Sequence, residues 1–74
     1  MKTEKEILRG SRVFVEIEYD DKSSFSFDVI LHAITDRAKV AEIQMITRGT
    51  LMASSGARAT AYNDQGFEIC AYIR

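Results

Sequence analysis

The chain has 74 residues, 46% of them hydrophobic, and a formal net charge of −1. That length holds one small domain, residues 1–74, and the apolar share argues against disorder. A near-neutral, slightly acidic balance lacks the basic stripe of a general nucleic-acid binder, and no apolar run is long enough to span a bilayer. Cys70 is the only cysteine, so no intrachain disulfide can form, and there is no CxxC or Cys/His cluster to hold a structural zinc. Cores of this size seldom supply more than about 3–5 kcal/mol. With neither metal nor disulfide, the remaining source of stability is burial against another chain, which makes a homodimer or a partner complex the expectation. The first ten residues, MKTEKEILRG, are charged throughout and lack the apolar core of a signal peptide. The expected location is the cytoplasm, where a lone thiol stays reduced.

Thr3 and Glu6 stand at capping-box spacing and Gly10 where a helix commonly stops, which predicts a short helical lead-in over residues 3–9 that docks through Ile7 and Leu8. From Arg12 to Tyr19 the chain alternates: Val13, Val15, Ile17 and Tyr19 on one face, Arg12, Phe14, Glu16 and Glu18 on the other. Asp20-Asp21-Lys22-Ser23 is turn chemistry, and Phe25, Phe27, Val29 and Leu31 then alternate with Ser26, Asp28, Ile30 and His32. Making the apolar faces coincide pairs Tyr19 with Phe25, Ile17 with Phe27, Val15 with Val29 and Val13 with Leu31. The opposite face then pairs Phe14 with Ile30, Glu16 with Asp28 and Arg12 with His32. Two carboxylates facing each other suit either a solvated edge that resists aggregation or an acidic patch that meets a basic partner surface.

Thr35 is a good N-cap and Asp36 sits well in a first turn, predicting a helix from Thr35 to Arg48 that closes on Gly49. Ala38, Ala41 and Met45 form a small-residue seam for a sheet, which leaves Val40, Ile43 and Ile46 as a second apolar flank needing a cover. Ala41, Ile43, Met45 and Thr47 also alternate as a strand would; the cap, the length and the alanine content favour helix. Leu51 and Met52 either extend the helix or plug the core. Residues 57–62 and 67–73 form a second hairpin around Asn63-Asp64-Gln65-Gly66, which suits a type I turn with a G1 bulge. Phe67, Ile69, Ala71 and Ile73 would share a face with Ala57, Ala59 and Ala61, leaving Arg58, Thr60, Tyr62, Glu68, Cys70, Tyr72 and Arg74 on the other. The expected fold is therefore α+β: ββαββ, a four-stranded antiparallel sheet with one helix packed on one face and a short N-terminal helical segment.

His32 and Cys70 are the only candidates for nucleophilic chemistry, and nothing local supplies the base and orienting group such a pair needs. No Gly-rich loop is followed by Lys-Ser or Lys-Thr, so there is no phosphate-binding P-loop. The chain reads as a non-enzyme without cofactor or metal, its function carried by the sheet face away from the helix. Phe14, Glu16, Glu18, Asp28, Ile30, Arg58, Tyr62 and Tyr72 are the candidate partner-binding residues. Arginines and aromatics on an open sheet (Arg12, Phe14, Arg58, Tyr62, Tyr72, Arg74) also suit a platform for single-stranded nucleic acid. The acidic hairpin and the missing RNP-type aromatic motif favour a protein partner instead.

Phe25-x-Phe27-x-Val29, followed by Ala33-x-Thr35, Ala38 and Ala41, resembles the strand-to-helix step of small phage-encoded host-takeover inhibitors of the ββαβ type. These include RNA polymerase inhibitors, and the likeness extends to anti-CRISPR proteins. It covers about a third of the chain, the longer connector and second hairpin depart from it, and no functional residue is carried over. The resemblance implies a class: a compact protein that occupies a surface on a larger host machine, such as a nucleoprotein complex.

Overall fold

The computed structural model describes residues 3–74. In chain order it contains α1 (Glu4–Ile7), β1 (Arg12–Glu18), β2 (Ser24–Ile30), α2 (Asp36–Ser54), β3 (Arg58–Asn63) and β4 (Glu68–Ile73). The strands form one antiparallel sheet in the order β2-β1-β3-β4, with α2 across one face. This is the α+β, ββαββ architecture expected from the pattern of the chain.

The lead-in helix is a single turn, Glu4–Ile7, shorter than the predicted span of residues 3–9. Thr3 and Glu6 meet at its start: the Glu6 N–H donates to Thr3 Oγ1 at 3.3 Å and the Thr3 hydroxyl to Glu6 Oε1 at 3.2 Å. Gly10 stops it with φ +84°, a left-handed conformation that favours glycine. A single turn is unstable alone, so it must be held by the body. Leu8 enters the core, and three of the segment's carbonyls find donors from distant residues. Asn63 Nδ2 donates to Ile7 O (3.1 Å), and Lys39 Nζ to Leu8 O (3.0 Å) and Gly10 O (2.8 Å).

The first hairpin keeps its predicted faces but not its register. Val13 faces Val29, Val15 faces Phe27 and Ile17 faces Phe25, two residues away from the expected pairing. The cause is the turn. Tyr19 N–H donates to Ser23 O and Lys22 N–H to Tyr19 O, both at 2.9 Å, with Lys22 left-handed at φ +70°. A type I turn followed by a left-handed residue spends only three residues on the reversal. Because the slip is even, no side chain changes face, but every outer-face neighbour changes. Glu16 lies opposite Ser26 rather than Asp28, and Phe14 opposite Asp28 rather than Ile30. The expected carboxylate pair is therefore absent. Asp28 sits 3.5 Å from Arg12 instead, an exposed pair. The second turn has the same build, as predicted: Gly66 at φ +87° donates to Asn63 O at 3.1 Å, and Asn63 N–H donates to Phe67 O at 2.9 Å.

Thr35 caps α2 by accepting from the Ala38 N–H at 3.2 Å. The helix does not close on Gly49; it continues through it to Ser54 and ends in a left-handed Ser55, so Leu51 extends the helix and plugs the core. The packed stripe is also not the expected one. Lys39, Ile43, Thr47 and Leu51, at i, i+4, i+8 and i+12, are buried, whereas Ala38, Ala41 and Met45 face solvent, Met45 with 70% of its surface exposed. Two polar residues disguise the stripe. Lys39 is buried because its ammonium reaches carbonyls, and Thr47 because its hydroxyl donates to Ile43 O at 2.7 Å. Val40 and Ile46, expected to lack cover, pack against the core, with Ile7 and Leu8 lining the groove beside Val40.

Val13, Val15 and Ile17 of β1 and Ala59 and Ala61 of β3 form the floor beneath the helix. The alanines let α2 approach closely, as expected. In β4 the alternation is broken: Ala61 pairs with Cys70 but Tyr62 with Glu68, so Ile69 is an extra residue in a β-bulge. Beyond it, Cys70 and Tyr72 point toward the helix with Ala61 and Ala59, while Ala71 and Ile73 lie on the outer face with Thr60 and Arg58. The predicted facing of β4 is thus reversed after the bulge, leaving Ile73 79% exposed.

Candidate binding face of the sheet

The face away from α2 is laid out in rows by the two-sided pairing of β1 and β3. From β2 to β4 they run Asp28–Phe14–Tyr62–Glu68, then Ser26–Glu16–Thr60–Ala71, then Ser24–Glu18–Arg58–Ile73, with Ile30–Arg12 at one end. Seven of the eight residues singled out from the sequence share this face: Phe14, Glu16, Glu18, Asp28, Ile30, Arg58 and Tyr62. Tyr72 does not. Its ring lies on the helix side, with the Arg48 guanidinium 5.6 Å from its centroid, because of the bulge at Ile69.

Phe14 (38% exposed) and Ile30 (56%) are the open apolar residues near the acidic ones. Thr60, although on the outer face, is buried between its neighbours at the centre of the sheet. A depression of about 100 Å³ beside it is lined by Glu16, Glu18, Arg58, Thr60 and Tyr62. Four carboxylates (Glu16, Glu18, Asp28, Glu68) against two guanidiniums (Arg12, Arg58) leave the face net acidic. Glu16 and Glu18, two residues apart on one strand, project side by side at roughly 7 Å. Such an arrangement can accept hydrogen bonds from several cationic side chains around an apolar contact.

Other acidic residues of the hairpin serve the fold. Asp20 Oδ2 accepts from Arg74 at 3.1 Å, and Asp21 accepts from the Ser23 hydroxyl and, at 3.0 Å, from the Ser23 N–H. The hydroxyl and then the amide hold the Asp21 carboxyl below its ordinary value. Arg74 is also bound to Ser55 O at 2.8 Å. Tyr72 and Arg74 are therefore subtracted from the aromatic–arginine platform that a single strand of nucleic acid would need.

A larger groove of about 420 Å³ lies on the helix side, between the lead-in, α2 and β4, lined by Ile7, Leu8, Val40, Gln44, Glu68, Ile69 and Cys70. Burial pushes the Cys70 thiol up from its ordinary value, the opposite of activation, and its sulfur contacts Thr47 Oγ1 at 4.0 Å. His32 follows the edge strand β2 while Cys70 lies on the other edge, β4. Three inter-strand spacings, on the order of 14 Å, separate those edges, so the two do not form a dyad. Among the described residues no group of three or more His, Cys, Asp or Glu side chains could hold a metal ion, and no helix is long and apolar enough to cross a membrane.

Two residues that sequence reasoning did not single out hold the site's frame. Asn63 accepts from Gln65 N–H (2.9 Å) and Phe67 N–H (2.8 Å) while donating to the lead-in. Glu42 on α2 accepts from the His32 N–H (3.1 Å to each oxygen) and the Ala33 N–H (2.9 Å), tying the β2–α2 connector to the helix. Those amides hold its carboxyl below the ordinary glutamate value, Ala33 contributing most. No family model, curated protein or solved structure matches the chain. Fold and face together define an α+β domain with one main helix, presenting an open, acidic and partly apolar sheet surface.

Proposed function

We propose that this is a small non-enzymatic inhibitor or adaptor of the cytoplasm that acts by docking its open sheet face on a basic surface of a larger protein assembly. The observation that carries the reading is the row of Phe14 and Tyr62 beside the Glu16–Glu18 pair, an aromatic anchor set in an acidic field on the face α2 leaves uncovered. The strand-to-helix resemblance to phage host-takeover inhibitors supports a host nucleoprotein machine, such as RNA polymerase or a CRISPR effector, as the class of target. Proteins that bind nucleic acid carry basic surfaces, and an acidic face speeds encounter with them.

The test is affinity capture from bacterial lysate with the native chain, Phe14→Ala and the Glu16→Lys/Glu18→Lys double variant side by side. A captured assembly that is lost with either variant, and whose capture weakens as salt rises, is the expected result. Undiminished capture by both variants would remove the sheet face from the interface. The competing reading, a single-stranded nucleic-acid module, retains Arg12, Phe14, Arg58 and Tyr62 on the open face. It requires labelled oligonucleotides to bind at low salt; no binding is expected, given the net acidity of the surface.

A further inference from the structure

The edge strand β2 is the least covered part of the fold. Helix α2 lies mainly over β3, β1 and β4, and on the inner face of β2 Phe27 and Val29 are only partly buried against the core. Phe25 is 53% exposed there, next to a half-buried Phe27 whose ring centroid is 5.8 Å away. The backbone of this strand is open as well. Leu31 N–H donates to Ser11 O and Tyr19 N–H to Ser23 O, which sets the ladder so that odd-numbered residues of β2 bond to β1. The N–H and C=O groups of Ser24, Ser26, Asp28 and Ile30 therefore point out of the sheet, unpaired by any strand among the described residues. Protein edges are normally blunted by bulges, lysines, prolines or a covering element. The other edge, β4, has a bulge at Ile69; β2 is regular over seven residues, with no bulge, lysine or proline and Asp28 as its one charge.

From this edge we infer that the chain forms a symmetric dimer by antiparallel pairing of β2 with β2 of a second copy, giving a continuous eight-stranded sheet. The sequence of the strand, SFSFDVI, selects both the occupant and the register. A two-fold axis at Phe27 pairs the whole strand: Ser26 faces the second copy's Asp28, Phe25 faces Val29, and Phe27 faces itself. All the outward backbone groups then meet in hydrogen-bonded pairs, and the phenylalanines meet on the helix side of the sheet, where β2 is only partly covered. The hydroxyl of Ser26 stands opposite a carboxylate able to accept from it. An axis at Asp28 would set two carboxylates against each other, and one at Ser26 would leave Val29 and Ile30 without partners in the strand. A strand whose own register pairs its apolar residues with each other and its serine with its single carboxylate fits a second copy better than a foreign segment. This dimer goes beyond the proposed docking face, which is perpendicular to it.

The test is sedimentation equilibrium over a wide concentration range, with Ser26→Pro, Phe25→Lys and Ile73→Lys compared to the native chain. Proline at 26 removes an outward N–H and no ladder bond to β1. The native chain is expected to pass from its single-chain mass of 8.4 kDa to twice that value. Ser26→Pro and Phe25→Lys should remain single at the highest concentration with unchanged circular dichroism, and Ile73→Lys, on the other edge, should still pair. Phe25→Lys, at an exposed position, keeps the test decisive should the proline variant fail to fold. In the native dimer the Ser26 and Asp28 amides should gain hydrogen-exchange protection as concentration rises. A native chain that stays single throughout, or a dimer that survives Phe25→Lys, overturns the inference. So does a dimer lost only with Ile73→Lys, and so does a foreign protein captured on β2 by a chain that is itself single. Phe14→Ala should leave the mass unchanged, so that a failed docking face and a failed dimer give different results.

Discussion

Lys39→Met removes the ammonium that joins helix α2 to the lead-in and leaves most of the side chain's apolar length in place. In the native chain that ammonium is 8% exposed by residue and donates to Leu8 O at 3.0 Å and Gly10 O at 2.8 Å. A hydrogen bond involving a charged group contributes about 1.5–3 kcal/mol, so the two together amount to roughly 3–6. Part of this is offset, because methionine carries no desolvation cost and the half-open Gly10 carbonyl can regain water. A net loss of about 2–3 kcal/mol is expected, against a total for 74 residues of about 4–11 kcal/mol. With a urea slope near 1 kcal/mol/M, at the low end for small domains, the midpoint should fall by about 2–3 M. The same variant should speed amide exchange at Ile7, whose N–H donates to Thr3 O, before it speeds exchange in β1. An unchanged or raised midpoint would refute the reasoning. It would mean that the desolvation of the ammonium cancels its bonds and that Leu8 alone holds the segment.

Lys22→Gly should stabilise the chain by about 0.5–1 kcal/mol, because a left-handed L-residue at φ +70° costs about 1–2 kcal/mol and the glycine's extra unfolded-state entropy returns part of it. A melting temperature several degrees higher would show this. Gly56→Ala should cost about 1–3 kcal/mol, since a Cβ there would overlap Ile17 Cγ2, a fully buried atom group with nowhere to move; chemical denaturation measures it. Glu42 has its folded-state pKa lowered by the Ala33 and His32 amides, so its contribution is complete above the unfolded pKa and lost as pH falls through the folded one. Glu42→Gln should therefore flatten the acid limb of a stability–pH curve below about pH 4.3, the usual glutamate value, and a limb of unchanged slope would contradict the assignment.

The strands were legible because the sequence of β1 and of β3 alternates and one face of each supplies the buried apolar floor: Val13, Val15, Ile17, Ala59 and Ala61. Three features escaped for separate physical reasons. The helix stripe was misplaced because polarity misrepresents Lys39 and Thr47, whose polar atoms are satisfied by backbone carbonyls only in the tertiary structure. The hairpin register slipped because nothing in Asp20-Asp21-Lys22-Ser23 announces that a lysine will take the left-handed position usually given to glycine. Tyr72 was assigned to the wrong face because an added residue in one strand reverses every side chain beyond it, and Ile69 has no feature that marks it as the extra one. The binding face survived these errors because it depends chiefly on β1 and on the parity of β2, which an even slip preserves.

The two unsatisfied surfaces are compatible because they point in different directions. Phe14, Glu16 and Glu18 project from the plane of the sheet, whereas the open groups of Ser26 and Asp28 lie within that plane at its edge. Pairing through β2 would therefore leave the acidic face free and double it. Between the two β1 strands there would be three inter-strand spacings, and the register staggers the pairs by four residues along the strands, so the Glu16–Glu18 pairs would stand on the order of 20 Å apart across the axis. Two weak acidic sites held at a fixed spacing bind a repeated or extended basic surface far more tightly than either does alone. An isolated basic surface large enough for one copy should then bind Ser26→Pro as well as it binds the native chain. An extended assembly should hold the native dimer more strongly, chiefly through slower release. Equal loss of both kinds of binding in Ser26→Pro would instead place β2 inside the docking contact itself.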